Sequence, residues 1–122
     1  MWVVCQIGAR EHYAIPRALE RKGSLGALLT DFWVLPRSIL GRMPGGQRLR
    51  DRWHLDLAAA NVIGLNRAML PFEAQQRISK ALGWEFIQQR NDLFQRAALS
   101  RLRRLGLSGT TTPTLFSYSY AA

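Results

Sequence analysis

The first 31 residues follow the order strand, glycine turn, helix, strand. Trp2–Ile7 is an apolar run ending at Gly8, a helical pattern ends at Gly23, and Leu25–Thr30 is apolar again. About thirty residues is the length of a βαβ unit, in which a crossover helix joins two parallel strands. Open parallel sheets bind ligands outside the carboxyl ends of their strands. The sequence therefore predicts an α/β protein with its functional residues in the loops after these strands.

Pro16 indicates where the first helix begins. Proline is tolerated in the first turn of a helix, where its missing N–H would have no partner anyway. The helix is therefore expected to start between His12 and Ile15, which leaves Gly8–Glu11 as a loop. The second strand is followed by Asp31–Trp33, and both loops are predicted to lie on one rim of the sheet.

The rest of the chain adds helices and strands around a long basic connection. Residues 34–60 are rich in proline, glycine and arginine, and such a long connection is usually functional or mobile. Tandem Gly45–Gly46 within it is interpreted as a turn rather than a phosphate cradle. Within and just after the connection, the predicted elements are helical turns around Arg37–Leu40 and Gln47–Trp53 and a strand at Asn61–Leu65. Two helices follow: one has Pro71 at its first position and a stop at Gly83, and the other spans Trp84–Leu105. The chain then makes a polar turn at Gly106–Thr112 and a strand at 113–119, whose carboxyl end is at Ser117–Tyr120.

These elements predict one incomplete, Rossmann-like parallel sheet of three to four strands with covering helices. Residues 1–122 are expected to form a single partial domain, with 34–60 as its irregular basic connection. A doubly wound sheet would continue into another helix after the last strand. We therefore expect the segment to be the front part of a larger domain.

Charge is the unusual global property of the chain. The 122 residues carry a net charge of +9, and 15 of the 17 basic residues are arginine. Such a balance attracts polyanions, so nucleic acid, anionic lipid and phosphorylated ligands are all admissible partners. The alternative is that the arginine content only reflects a GC-rich genome.

Composition and missing motifs exclude several classes of protein. The sequence is 48% hydrophobic and 20% charged, which is ordinary for a folded domain, and it has no apolar run long enough to cross a bilayer. One buried-looking cysteine, Cys5, allows no internal disulfide and fits a reducing, cytoplasmic compartment. GxGxxG, P-loop and GxSxG motifs are absent, and two separated histidines with one cysteine predict no zinc site.

The Gly8 loop is the strongest candidate site. Glycine lets the backbone approach a ligand, and the following helix N-terminus favours an anion such as a diphosphate. The candidate substrate-binding residues are Gly8, Arg10, His12, Tyr13 and Asp31, and His12 is also a candidate catalytic residue. The alternative is that Gly8 only makes the turn, that Arg10 pairs with Glu11, and that His12 is an ordinary surface histidine.

Several segments resemble the beginning of bacterial, notably cyanobacterial, glycosyltransferases of the GT-B fold in the broad family-4 or "group 1" class. These segments are CQIGAREHYAIPRAL, LLTDFW, GWEFIQQRNDLFQRAAL and PTLFSYSYAA. The resemblance covers nearly the whole chain, and its specific parts are the opening motif and the terminal strand.

The resemblance implies an amino-terminal domain that mostly holds a saccharide or lipid acceptor. A second, carboxyl-terminal domain would bind the nucleotide-sugar donor, and transfer would occur in the cleft between them without a required metal. By position, Gly8 matches the glycine that lies near the donor diphosphate in such enzymes, and His12 and Tyr13 fall in the same loop and helix start. The donor domain and its paired glutamates are absent from these 122 residues, so the segment alone is not expected to catalyse transfer.

Two non-enzymatic alternatives remain open. One is a basic module that binds nucleic acid, although the arginines are spread along the chain and no nucleic-acid motif is present. The other is a peripheral element on anionic lipid at the inner face of a membrane, which is compatible with the transferase. The membrane contact would use Arg37–Trp53, with apolar residues Leu35, Ile39, Leu40, Leu49 and Trp53 among its arginines.

Overall fold

Four parallel strands form the centre of the computed structural model, which describes residues 1–44, 47–79, 83–105 and 113–118. The strands lie in the order β3-β2-β1-β4, and all three pairings are parallel. The elements in chain order are β1 (Trp2–Gln6), a 3₁₀ turn (Arg10–Tyr13), α1 (Ala14–Arg21), β2 (Leu25–Thr30), α2 (Ile39–Arg42), α3 (Gln47–Arg50), a second 3₁₀ turn (Leu55–Leu57), β3 (Val62–Gly64), α4 (Asn66–Ser79), α5 (Trp84–Arg104) and β4 (Thr114–Tyr118).

The strand order shows how the chain winds. From β1 the chain moves outward to β2 and β3, then returns across the sheet to place β4 on the other side of β1. This is the order of the first four strands of a doubly wound α/β sheet. The prediction of a parallel α/β sheet with three to four strands and covering helices is confirmed, and the architecture is compatible with a Rossmann-like fold.

Both faces of the sheet are covered by helical elements. On one face, Cys5 and its neighbours pack against Met69 of α4 and Phe94 of α5. On the other face, Val4 and Leu28 pack with Tyr13 and with the second 3₁₀ turn. Because both faces are covered, β1 and β2 are continuously apolar rather than alternating. Burial raises the pKa of the Cys5 thiol to about 11, so this cysteine is a small buried hydrophobe, as predicted.

Helix α4 begins earlier than the sequence predicts. Its first residue is Asn66, so Pro71 lies inside the helix and the prediction that it occupies the first position is wrong. The physical reason is a non-local contact. The Asn66 amide group accepts a hydrogen bond from the Trp33 N–H at 2.9 Å and donates one to the Trp33 carbonyl at 3.0 Å. This pairing fixes the start of α4 against the loop after β2, although Pro71 removes one backbone donor from the helix.

The connection between β2 and β3 is largely irregular, as predicted, with short helical segments in it. α2 and α3 lie close to the two predicted turns, and the predicted strand at 61–65 is observed as β3. Three predicted features lie outside the described residues: the Gly45–Gly46 turn, the 106–112 turn, and the end of the last strand beyond Tyr118.

Asp56 joins the connection to α1. Its Oδ2 atom accepts hydrogen bonds from Arg17 Nε at 2.8 Å and from Arg21 Nη2 at 2.7 Å. The two guanidinium groups lower the pKa of the Asp56 carboxyl. Both arginines thereby hold the second 3₁₀ turn against α1.

We expect the Asp56 contact to make stability depend on acid pH. In the unfolded chain this carboxyl titrates near its ordinary value of 3.8, and in the folded chain it titrates lower. Between the two values the unfolded chain binds more protons, so acid favours unfolding. The contribution is present above the unfolded pKa and is lost as the pH falls through the folded pKa. Urea denaturation of the wild type and of Asp56→Asn across this range should show their stabilities converging at the acid end, and a constant difference would contradict the assignment.

Candidate functional site

The carboxyl rim of the sheet brings together the loop after β1 and the end of β4. Strand order reverses between these two strands, and ligands of doubly wound sheets bind in the crevice at such a reversal. The two sides of the rim touch through a cation–π contact. The Arg10 guanidinium carbon lies 5.4 Å from the centroid of the Tyr118 ring.

The Gly8 loop is held by its own strand. Gln6, the buried last residue of β1, donates from its side-chain amide to the Gly8 carbonyl at 3.0 Å and to the Arg10 carbonyl at 3.1 Å. Gly8 has a φ of +80°, where a residue with a side chain would be strained, and a Cβ there would lie 3.5 Å from Arg52 Nη1. Because 3.5 Å is an ordinary van der Waals separation, the positive φ of the turn is the reason for glycine at position 8.

Asp31 is a fully buried carboxylate at the end of β2. Its Oδ1 atom accepts hydrogen bonds from the Gly8 N–H at 2.9 Å and from the Thr30 hydroxyl at 3.2 Å. Arg52 Nη1 donates to both carboxylate oxygens, at 2.9 and 3.1 Å. Arg90 Nη2 donates to Oδ2 at 2.6 Å. A buried charge needs such complete pairing, because desolvation of an unpaired carboxylate costs several kcal/mol.

The two arginines bring distant parts of the chain to Asp31. Arg52 belongs to the connection after α3, and Arg90 belongs to α5. Arg90 Nε also lies 2.9 Å from Glu73 Oε1 of α4, so two arginines and two carboxylates form a network with no net charge. Sequence reasoning missed Gln6, Arg52, Glu73 and Arg90. Their positions carry no motif, and nothing separates these two arginines in sequence from the other thirteen.

The Gly8 N–H is therefore occupied by a carboxylate of the protein itself. The sequence predicted either that the backbone at Gly8 approaches a ligand, with an anion favoured at the following helix N-terminus, or that Gly8 only makes the turn. In the structure, Asp31 takes that amide, and Arg10 is the basic candidate at the rim. The loop is thus held in one conformation from inside, and a ligand at the rim would meet side chains rather than the Gly8 amide.

His12 and Tyr13 lie in a left-handed stretch of backbone. Glu11, His12 and Tyr13 have φ values of 49°, 49° and 59°, a conformation that costs roughly 1–2 kcal/mol per residue when a side chain is present. Tyr13 is fully buried, and its ring meets the Trp33 ring edge-on at 5.7 Å between centroids. His12 is exposed, and its backbone carbonyl accepts a 3.4 Å hydrogen bond from Arg17. The strained turn therefore buries the Tyr13 ring in the core and leaves the neighbouring His12 imidazole exposed.

The buried Tyr13 phenol is a poor candidate for a base. Burial raises the pKa of Tyr13 to about 12, so the hydroxyl is protonated at neutral pH. Of the five predicted site residues, Asp31 and Tyr13 are buried, Gly8 and Arg10 are half-buried, and His12 is exposed. Asp31 contacts Gly8 directly through the Gly8 N–H.

The described residues contain neither a metal-binding cluster nor a helix that could span a membrane. Within 1–44, 47–79, 83–105 and 113–118, no group of three His, Cys, Asp or Glu side chains is arranged to hold a metal ion. No helix in these ranges has both the length and the apolar character needed to cross a bilayer.

Comparisons with family models, with curated proteins and with solved structures found no match to this chain. The interpretation of the rim therefore depends on the geometry of the chain itself and on the segments identified in its sequence.

We expect Asp31→Asn to destabilise the protein by about 3 kcal/mol, because it leaves Arg52 and Arg90 without their shared carboxylate. Both arginine side chains are about four-fifths buried, so water can hydrate their unpaired guanidinium groups only in part after the substitution. Urea denaturation measures the loss. Asp51→Asn removes the same charge from an exposed position and should change stability by less than about 0.5 kcal/mol. Equal effects of the two substitutions would show that Asp31 does not hold the rim together.

Proposed function

We propose that the chain is the amino-terminal, Rossmann-like half of a GT-B glycosyltransferase and that its ligand site is the rim between β1 and β4. The observation that carries the proposal is the reversal of strand order at the point where the Gly8 loop and Tyr118 meet. The fold is compatible with the first half of a doubly wound domain, and the Gly8 loop belongs to the segment with the most specific resemblance to these enzymes.

Each rim residue has a distinct role in this proposal. Arg10 contacts a polar or anionic group of the ligand, because its guanidinium lies over the Tyr118 ring at the reversal. Asp31 and Gln6 are positioning residues that fix the loop from inside. His12 is the exposed side chain that would accept the proton of an acceptor hydroxyl. The nucleotide sugar is held by a second domain, so the segment binds an acceptor saccharide or lipid and does not catalyse transfer alone.

The test is sugar transfer by the segment alone and by the segment joined to the coding region that follows it in its source genome. We expect no turnover of nucleotide sugars by the segment and transfer by the longer chain. In the longer chain, Arg10→Ala should lower kcat/KM roughly 10- to 100-fold, the effect of losing one charge-assisted hydrogen bond. Arg77→Ala removes an exposed arginine from α4 and serves as the control. Turnover by the segment alone, or a following region with no second domain, would overturn the proposal.

We also propose that the acceptor side docks on an anionic bilayer through α2 and the turn before it. Three apolar side chains there are strongly exposed: Leu35 by 55%, Ile39 by 85% and Met43 by 51%. Exposed apolar residues among cations suit the surface of an anionic membrane. The cations of this surface, which we call the α2 surface, are Arg37, Arg42 and Arg50.

Fewer residues are available for this proposed membrane contact than the sequence indicated over Arg37–Trp53. Leu40 and Leu49 pack against the core under α4 and α5, so they are not available to lipid. Arg52 is committed to Asp31, and Trp53 is half-buried. The proposed contact is therefore the α2 surface alone.

Flotation with vesicles tests this contact. We expect binding to vesicles of phosphatidylglycerol and phosphatidylcholine, and weak binding to phosphatidylcholine alone. Ile39→Ser should lower the partition coefficient at least tenfold, because one buried isoleucine side chain is worth about 1.5–3 kcal/mol. Ile78→Ser on α4 changes the same residue type at the same 85% exposure and should have little effect. Equal binding to vesicles at every anionic lipid content would contradict the proposal.

A further inference from the structure

An open groove of about 640 Å³ lies between the start of α4 and the last third of α5, beside the end of β3. Its apolar floor includes Ile63, Leu65 and Ala97, and its walls carry Arg67 from α4 together with Arg101 and Arg104 from α5. This volume lies within the range of clefts that bind small ligands. The groove is separate from the β1–β4 rim, and its interpretation does not depend on the proposed function.

The groove is strongly cationic. Among the described residues, no carboxylate lines the groove, and none lines the adjoining depression on α5, where Arg96 and Arg103 lie. In the described part of the chain, none of these five arginines forms an ion pair with a carboxylate. The contrast with Arg17, Arg21, Arg52 and Arg90, which all bind carboxylates, is clear. The guanidinium groups in and beside the groove therefore carry positive charge that no described carboxylate neutralises.

The helix dipoles explain only part of this arrangement. Arg101, Arg103 and Arg104 stand in the last turn of α5, where cations are favourable. Arg67 stands in the first turn of α4, where a cation is unfavourable, and that turn contains no acidic residue. Leu65 precedes the helix and has no side-chain acceptor, while the Asn66 side chain is committed to Trp33. An anion in the groove would pair with the arginines and offset the unfavourable position of Arg67.

We propose that this groove binds a ligand through one or more of its phosphoryl groups. Guanidinium groups bind phosphate oxygens in a bidentate manner, and arginines from two helices converge on one cavity here. The apolar floor accommodates a carbon portion of the ligand. The same chemistry is present in a free diphosphate ester and in the headgroup of an anionic phospholipid, and the experiment below distinguishes these two sources.

The first arm of the test is isothermal titration calorimetry with inorganic pyrophosphate at about 0.15 M ionic strength, where exposed charges are screened beyond roughly 8 Å. We expect saturable binding by the wild type and at least a tenfold weaker affinity in Arg67→Gln/Arg101→Gln. Lys22→Gln/Arg77→Gln removes the same net charge from exposed positions elsewhere and should change the affinity less than twofold. All four side chains are exposed, and circular dichroism checks that each double variant is folded.

Two results would overturn the proposal: no saturable binding by the wild type, or equal losses in both folded double variants, which would show a non-specific effect of net charge.

The second arm uses phosphatidylglycerol vesicles with and without saturating pyrophosphate. If pyrophosphate releases the chain and Arg67→Gln/Arg101→Gln also fails to bind vesicles, the groove accepts lipid headgroups. If vesicle binding is unchanged while pyrophosphate binding is lost in that variant, the groove accepts free phosphate esters. Either vesicle result supports the phosphate site and identifies its source.

Discussion

The arrangement of the rim depends on the buried carboxylate of Asp31. Its partners come from the loop after β1, from the connection after α3 and from α5, at separations of 23, 21 and 59 residues in the sequence. A carboxylate without exposure is tolerated only when charged and polar donors replace the water it has lost. The chain must therefore bring all three segments to one point before the charge can be buried.

The same carboxylate determines what the rim can do. By taking the Gly8 amide, Asp31 fixes the loop while occupying a donor that an external anion would otherwise use. Gln6 fixes two carbonyls of the loop, and the burial of Tyr13 holds the left-handed turn in which His12 stands. Strained backbone of this kind persists when the surroundings over-determine it, and it is concentrated at functional sites. The exposed parts of the rim thus stand on a rigid support, which is what ligand positioning requires.

Local signals in the sequence were sufficient for most of the fold. The apolar runs of β1 and β2, the position of Pro16 and the apolar spacing of α5 each predicted an element that the structure contains. The start of α4 was predicted wrongly because it depends on the pairing of Asn66 with Trp33, 33 residues away. The partners of Asp31 were missed for the same reason. Periodicity and caps act over a few residues, whereas burial of a charge is decided by segments that meet only in the folded chain.

The positive charge of the chain is also organised in a way that composition does not reveal. Arginine usage set by the genome alone would place guanidinium groups without regard to partners or helix ends. In the structure, four arginines each pair with a buried or half-buried carboxylate, whereas the arginines that line the groove have no acid beside them among the described residues. Arg67 even stands at the helix end where a cation is least favourable. Such a position destabilises that end of the helix, and a bound anion would offset this cost.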